Sequence, residues 1–338
     1  PYTTLFRSPE KKAAVIEGSK VFSKNLMKKY GIPTAAYEVF QDADEAMRYI
    51  EEAPLPAVIK ADGLALGKGV IIADTRQAAV DAVKTIMLDK KFGESGNQIV
   101  VEEYLTGPEV SVLSFTDGKI VVPMRSSMDH KRAKDNDEGL NTGGMGTIAP
   151  NPYYTKEIAE RCMREIFLPT IQAMNREGRT FRGCLYFGLM LTDDGPKVIE
   201  YNCRFGDPET QVVLPLMESD LLSVMRACRD GKLADVPVLF SDKSACCVIA
   251  ASKGYPEHYE KGFEITVDND MDAEIYFAGA DLKEGKLLSG GGRVLGVTAI
   301  SDDLASAIDR AYAAVKKVHF DNIYYRNDIG QRALKAGS

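Results

Sequence analysis

The stretch VIKADGLALGKGVIIA, Val58 to Ala73, constrains the fold of this 338-residue chain more than any other. An apolar run ends in Lys60, a loop carrying Gly63, Gly67, Lys68 and Gly69 follows, and a second apolar run begins at Val70. Short β-branched runs on either side of such a loop read as the two strands of a hairpin. A Walker-type phosphate loop needs four residues between its glycines, a Ser or Thr after the lysine, and a helix beyond. Here only three residues, Leu64, Ala65 and Leu66, separate Gly63 from Gly67; Gly69 stands where the hydroxyl would be, and a strand follows. The loop does not match the dinucleotide pattern G-x-G-x-x-G either. Two readings stay open: bare backbone N–H groups and lysines that approach phosphate oxygens, or a flexible hairpin with surface lysines.

The neighbouring sequence frames this hairpin in an α+β unit. SKVFSKNLMKKYGIP predicts a helix capped by Ser19, with Phe22, Leu26 and Tyr30 on one face and Gly31 and Pro33 as its stop. Helices over 42–53 and 75–88 and strands over 57–60, 70–73 and 98–104 complete the unit. Glu102 and Glu103 end its last strand, and Glu109 lies just past a Gly-Pro turn. A hinge of this kind can offer main-chain groups to an adenine edge and an acid to a ribose hydroxyl, or it can be an ordinary solvated strand end.

Further along, a hairpin turns at Asp117-Gly118, and residues 126–154 form a long, polar, glycine-rich stretch expected to be a loop. It holds Asp129, His130, Lys131 and Arg132 with Gly143, Gly144 and Gly146, either a substrate cradle or a surface charge run. Helices are expected over 155–178, kinked at Pro169, and over 219–231. Between them, LYFGLMLTDDGPK and VIEYNCRFGDPE read as an antiparallel pair turning at Asp194-Gly195. Alternation along the second strand places Ile199, Tyr201 and Cys203 on one face and Glu200, Asn202 and Arg204 on the other. Glu200 and Asn202 thus offer two hard oxygen ligands about 7 Å apart, a set that suits Mg²⁺ with phosphate ligands, and Arg204 could clamp an anion; a solvated polar face is the alternative. Beyond about residue 241 a further unit of short strands begins, with a helix over 302–318.

A formal net charge of −7 argues against nucleic acid or an acidic membrane as the main partner. The six cysteines form no C-x-x-C pair, and no segment resembles a signal peptide or a membrane span, which fits a reduced cytoplasm. Cys246 and Cys247 sit in an apolar run and read as core thiols. Three scattered histidines leave no H-E-x-x-H or His-rich metal site.

A glycine-rich lysine hairpin, an acidic hinge and a later Glu-x-Asn strand together describe a site for a nucleotide and Mg²⁺. In that order the segments EGSK, IPTAAY, VIKADGLALGKGV, VEEYLTGPEVS, MDHKRAKDNDEGLNTGGMG, GCLYFGLM, VIEYNCRFGDPETQ, GGRVLGVTA and YYRNDIG resemble the ATP-grasp ligases, and among them the glycinamide ribonucleotide synthetase family, over roughly residues 10–332. The resemblance implies an ATP-grasp fold, two α+β subdomains with ATP between them, followed by a small mostly-β domain. The expected divisions are a linking segment over 1–36, a lid subdomain over 37–109, a central subdomain over 110–241 and a C-terminal domain over 242–338. It further implies Lys20 and Lys60 near the phosphates and the loop Gly63, Gly67, Lys68, Gly69 as a lid. Glu102, Glu103, Tyr104 and Leu105 would lie near adenine, Glu109 near the ribose, and Glu200 and Asn202 on Mg²⁺ or Mn²⁺. Asp129, Lys131, Arg204, Asp207 and Arg293 would be catalytic.

The implied reaction ligates glycine to 5-phosphoribosylamine through glycyl phosphate, giving glycinamide ribonucleotide, ADP and phosphate in purine biosynthesis, by a cytoplasmic monomer. Another carboxylate–amine pair, or an ATP-binding fragment without turnover, are the alternatives. The family's first domain, with a strand running into a Gly-Gly-Arg-Glu-type loop, has no counterpart here. The only Gly-Gly-Arg is Gly291 to Arg293, and the opening PYTTLFRS fits the family poorly. The resemblance therefore implies that part of the phosphoribosylamine site belongs to a domain outside these residues.

Overall fold

The computed structural model describes residues 9–64 and 69–336, so PYTTLFRS and the expected lid residues Gly67 and Lys68 lie outside the described residues. The helix Lys20–Tyr30 forms as its caps dictate: Ser19 Oγ accepts from Phe22 N at 3.0 Å, and Gly31 closes it at φ 67°. Positive φ is costly for any residue with a Cβ, which is why glycine ends the helix. Its inner face sends Leu26 and Met27 into a core with Phe167, Phe187, Val198 and Tyr201.

The hairpin of Ala57–Ala61 and Val70–Ala73 belongs to a four-stranded antiparallel sheet, ordered Tyr37–Phe40, Ile99–Glu103, Ala57–Ala61, Val70–Ala73. Ile59, Ala61, Ile99 and Val101 pack against the helices Ala43–Glu52 and Arg76–Val83. Alternation then turns Lys60 and Glu102 to the opposite face. The helix expected over 75–88 is α-helical to Val83 and continues as a wider turn over Lys84–Leu88.

A second antiparallel sheet runs Gly195–Asn202, Gly183–Thr192, Glu109–Thr116, Val121–Pro123. Its register slips opposite Gly188 and Leu189, which pair with Glu200 and Val198 and leave Ile199 as an extra residue. This bulge modifies the simple alternation expected of the strand: Val198, Tyr201 and Cys203 enter the core, while Ile199 and Glu200 line a recess together. The helix expected over 155–178 is Lys156–Cys162, a π-type turn over Met163–Phe167, and Leu168–Arg176. Pro169, which has no N–H to continue the ladder, sits just past that wider turn.

The third sheet is ordered Glu274–Phe277, Arg293–Ser301, Ser244–Ser252, Gly146–Ala149, Met128–Asp129, with Ile323–Tyr324 also paired to Ser244–Ser252. Two of its strands come from the stretch 126–154 expected to be a loop. Glycine-rich polar sequence hid them because they are only two and four residues long, pair with each other, and are completed by Ser244–Ser252 far along the chain. This sheet therefore crosses the division expected at 241/242. The helix Leu304–Val315 packs on it, and Cys246 and Cys247 are fully buried within it; burial pushes the Cys247 thiol up to about 12.

Candidate active site

The first two sheets meet where Lys60 reaches the strand that carries Glu200. Its ammonium donates to Ile199 O at 3.3 Å and to Glu102 Oε2 at 2.9 Å. A second lysine, Lys24, pairs with the same Glu102 oxygen at 3.0 Å and donates to Thr34 Oγ1 at 2.8 Å. All three charged side chains are buried, and Glu102 Oε1 has no partner. Burial pulls Lys24 down to about 8 even though Glu102 opposes the shift. Lys20, one helical turn earlier, donates to Gly63 O at 2.8 Å; burial lowers its pKa too, with Glu200 holding it up. Lys24 and Lys60 share one buried carboxylate, and Lys20 beside them is influenced by Glu200, Asp62 and Glu102; three ammonium groups at one corner suit phosphate oxygens.

The start of the glycine-rich loop is tied to this corner. Asp62 accepts from Ser19 Oγ at 3.0 Å and from Val21 N at 3.1 Å, and Gly69 O accepts from Ala61 N at 2.9 Å where the second strand begins. At the hinge, Glu103 Oε1 accepts from Ala36 N at 2.9 Å. The carboxylates of Glu102 and Glu103 are thus engaged within the protein, and the hinge continues into half-exposed Leu105 and exposed Tyr104.

Opposite the lysines, the bulge aims Glu200 into the recess it shares with Glu109, Lys131, Tyr186 and Ile199. A Cβ at Gly188, across the strand pair, would come within 3.0 Å of Glu200 Cγ, so glycine leaves room for this carboxylate. Asn202 Nδ2 lies 3.4 Å from Glu200 Oε1. Turning that amide, whose N and O are interchangeable in position, sets two hard oxygens side by side, and the donor set fits a divalent cation that takes its other ligands from phosphate and water. Among the described residues no group of three or more His, Cys, Asp or Glu side chains is arranged to hold a metal by itself.

The remaining expected residues lie within this recess and beyond it. Lys131 pairs with Glu109 at 3.1 Å, both half-exposed, so Glu109 is held toward Lys131. Each stabilises the other's charge: Lys131 lowers the Glu109 carboxyl and Glu109 raises the Lys131 ammonium. Asp129 Oδ1 is buried without a partner, and burial together with Glu209 raises its pKa well above the usual carboxylate range. Gly144 is required beside it, since a Cβ there would lie 2.6 Å from Asp129 Oδ1. Arg293 forms a two-pronged pair with Asp207 at 2.8 and 3.2 Å and donates to Gly143 O at 2.8 Å. Beside Asp207 opens a cleft of about 490 Å³ bordered by Thr210, Gln211 and Tyr276. Arg204 stays exposed, 3.7 Å from Glu17 and 3.4 Å from Asn202 Oδ1. His130 is no part of the cradle: it is buried, hydrogen-bonded to Gly146 O and Gly330 N, and burial lowers its pKa to about 4.

Four members of the site escaped the sequence. Lys24 is one of them, although its i, i+4 spacing from Lys20 put both on one helix face. Glu209, Tyr186 and Ser111 form a buried cluster, with Glu209 Oε1 accepting from Tyr186 at 3.0 Å and Ser111 at 3.2 Å; no local pattern joins residues so far apart.

A lysine-bearing antiparallel lid sheet closed over a strand that ends in Glu-x-Asn defines an ATP-grasp ligase. Two family profiles agree: "Phosphoribosylglycinamide synthetase, ATP-grasp (A) domain" over residues 18–210 and "Phosphoribosylglycinamide synthetase, C domain" over residues 245–332. The chain belongs to the phosphoribosylglycinamide synthetase family. It is 46% identical over 332 residues to a phosphoribosylamine–glycine ligase of Fusobacterium nucleatum, covering 97% of this chain and 78% of that one. A trifunctional purine biosynthetic protein of Gallus gallus is 48% identical over 96% of this chain and 33% of its own length. The crystal structure of a phosphoribosylamine–glycine ligase from Thermotoga maritima superposes with a TM-score of 0.85 at 37% identity, covering 95% of this chain and 81% of that one.

Proposed function

We infer that this chain ligates glycine to 5-phosphoribosylamine at the expense of ATP, giving glycinamide ribonucleotide, ADP and phosphate in purine biosynthesis. The observation that carries the reading is the pairing of a buried lysine cluster with a Glu-x-Asn strand across one cleft, in a chain 46% identical to a ligase of that name. A carboxylate reacts with an amine in water only after one of its oxygens becomes a good leaving group. The glycine carboxylate attacks the γ-phosphorus, ADP departs, and glycyl phosphate results. The phosphoribosylamine nitrogen then attacks the acyl carbon, phosphate leaves, and the amine proton passes to solvent or phosphate.

No protein nucleophile is needed, so the residues bind, orient and neutralise charge. Lys20 and Lys60 face the phosphates, and the main chain of Glu103 to Leu105 faces the adenine. Glu200 and Asn202 would hold Mg²⁺ or Mn²⁺, which neutralises charge on the transferring phosphoryl group. Asp129 and Lys131 line the glycine end, and Arg293 with Asp207 orders the approach to the acyl carbon. The chain acts as a cytoplasmic monomer of a lid over 37–109, a central unit over 110–241 and a C-terminal unit over 242–338 whose sheet borrows Met128–Asp129 and Gly146–Ala149 from the central unit. Among the described residues no helix is long and apolar enough to cross a membrane.

The test is to incubate the chain with ATP, a divalent cation, phosphoribosylamine and glycine and to follow the amide product by mass spectrometry. One ADP and one phosphate per glycinamide ribonucleotide are expected. Absence of product with glycine, or equal turnover with alanine, overturns the reading.

A further inference from the structure

The largest fully buried side chain among the described residues is Arg326, in the motif YYRNDIG near the C-terminus. A guanidinium is rarely buried unless its donors are met, and this one is met from two directions. Nε and Nη2 donate to the two oxygens of Asp328, both at 2.8 Å, while Nη1 donates to Asp137 Oδ1 and to Arg132 O, both at 3.0 Å. Asp137 and Arg132 belong to the segment that begins at Asp129.

The same two segments are joined at further points. Asn327 donates to both oxygens of Asp135 at 2.8 and 3.0 Å, Asn136 N donates to Asp328 at 2.8 Å, and Tyr324 donates to Ala133 O at 2.9 Å. Gly330 N donates to His130 Nε2 at 3.1 Å. At the turn itself Asn136 and Asp137 take φ values of 59° and 55°. Two consecutive non-glycine residues in the left-handed region persist only where their surroundings over-determine them, and here the aspartates pinned to 326–328 do so.

The pinned segment leads directly into the site. Its first residues are Asp129 and Lys131; Thr142 folds back onto Lys131 O at 2.7 Å through its N–H and 2.8 Å through its hydroxyl. Gly143 then meets Arg293 at 2.8 Å. One end of this loop lies in the site and the other is fastened to buried Arg326 through Asp137 and Arg132 O.

We propose that Arg326 is a positioning residue for the ligation: by holding Asp137 and the 132–137 turn it fixes Lys131 opposite Glu109 and sets the glycine end of the site, without touching the nucleotide. The proposal rests on the functional reading above. The nucleotide lysines are held by other elements, by Glu102, Thr34 and Gly63, so disturbing the clamp should separate the two ends of the site.

The decisive variants are Arg326→Lys, which keeps the charge but cannot span both aspartates, and Asp137→Asn, which alters a half-exposed partner and spares the buried arginine. In each, kcat/KM for glycine is measured under saturating ATP, ATP affinity is measured by calorimetry, and the folded fraction is checked by circular dichroism. The expected result is a fall in kcat/KM for glycine of about tenfold to a hundredfold, with ATP affinity within about twofold of the parent. If Arg326→Lys does not fold, Asp137→Asn decides alone. Unchanged kcat/KM for glycine in a folded variant overturns the proposal, and so does parallel loss of ATP affinity, which would make the clamp a general support of the fold. A parent chain that binds ATP but forms no glycinamide ribonucleotide overturns the functional reading itself, and the positioning role falls with it.

Discussion

The two ends of the cleft handle charge in opposite ways. At the end proposed for the nucleotide, Lys24, Lys60 and Glu102 are almost wholly buried, with both lysines on one carboxylate oxygen at 3.0 and 2.9 Å, and are supplied by elements packed into the cores. In the recess beside Glu200, Lys131 and Glu109 remain 39% and 48% exposed and hold each other. A buried cluster is costly to assemble but has its geometry fixed before ligand arrives. An exposed pair costs little and can exchange partners with an incoming carboxylate or ammonium. The buried cluster is fixed in advance, whereas the Lys131–Glu109 pair is free to exchange partners.

The comparison breaks most visibly at Glu102. Glu102→Ala leaves two lysines buried without their anion, and should lower stability by about 3–5 kcal/mol, read as a large drop in the denaturant midpoint. A loss under about 1 kcal/mol would show that water reaches this cluster and that the ends do not differ as described. Next in size is Glu200→Gln, which keeps the shape but removes a charged oxygen from the expected metal pair. Ligation at limiting Mg²⁺ should fall about a hundredfold with little change in melting temperature, and near-parent turnover would remove Glu200 from that role.

A smaller effect separates structure from chemistry at His130. Its folded pKa of about 4 lies below the ordinary value of 6.5, so the unfolded chain binds the extra proton first. The stability owed to neutral His130 is therefore complete above about pH 6.5 and is lost as pH falls toward 4, by roughly 3 kcal/mol in all. His130→Gln should flatten that part of the stability profile; an unchanged slope would mean that other groups carry it. The smallest effect sharpens the contrast: Lys131→Ala should cost less than about 1 kcal/mol of stability, as exposed pairs do, while depressing turnover with glycine. Stability loss matching that of Glu102→Ala would erase the distinction between the two ends.

How legible each end was follows from the same contrast. The hairpin, the caps of Lys20–Tyr30 and the Glu200-x-Asn202 strand were readable because each is encoded in a short consecutive stretch. The bulge at Ile199 was not, since register depends on the partner strand and one extra residue changes which side chains face the core. Lys24 looks like any surface lysine of an amphipathic helix until Glu102 arrives from a strand far along the chain. Residues 126–154 were the largest misreading. Met128–Asp129 and Gly146–Ala149 are strands only because each other and Ser244–Ser252 lie alongside, and their own composition says loop. The roles expected of Asp129, Lys131, Arg204, Asp207 and Arg293 came from family likeness, whereas the contacts these residues make depend on chain folding that no short motif records.

The pairing of His130 with Gly330, 200 residues apart, also sets an order of events during synthesis. At about 5–20 residues per second, the ribosome delivers the glycine-end loop some 10–40 s before the segment that secures it. The lid sheet, drawn wholly from residues 37–103, can pair soon after it emerges. A nascent chain can thus form this sheet early and fasten the segment around His130 only at the last moment. An interrupted product ending before Arg326 would retain the lid sheet and the lysine cluster while leaving the turn over 132–137 without its buried anchor.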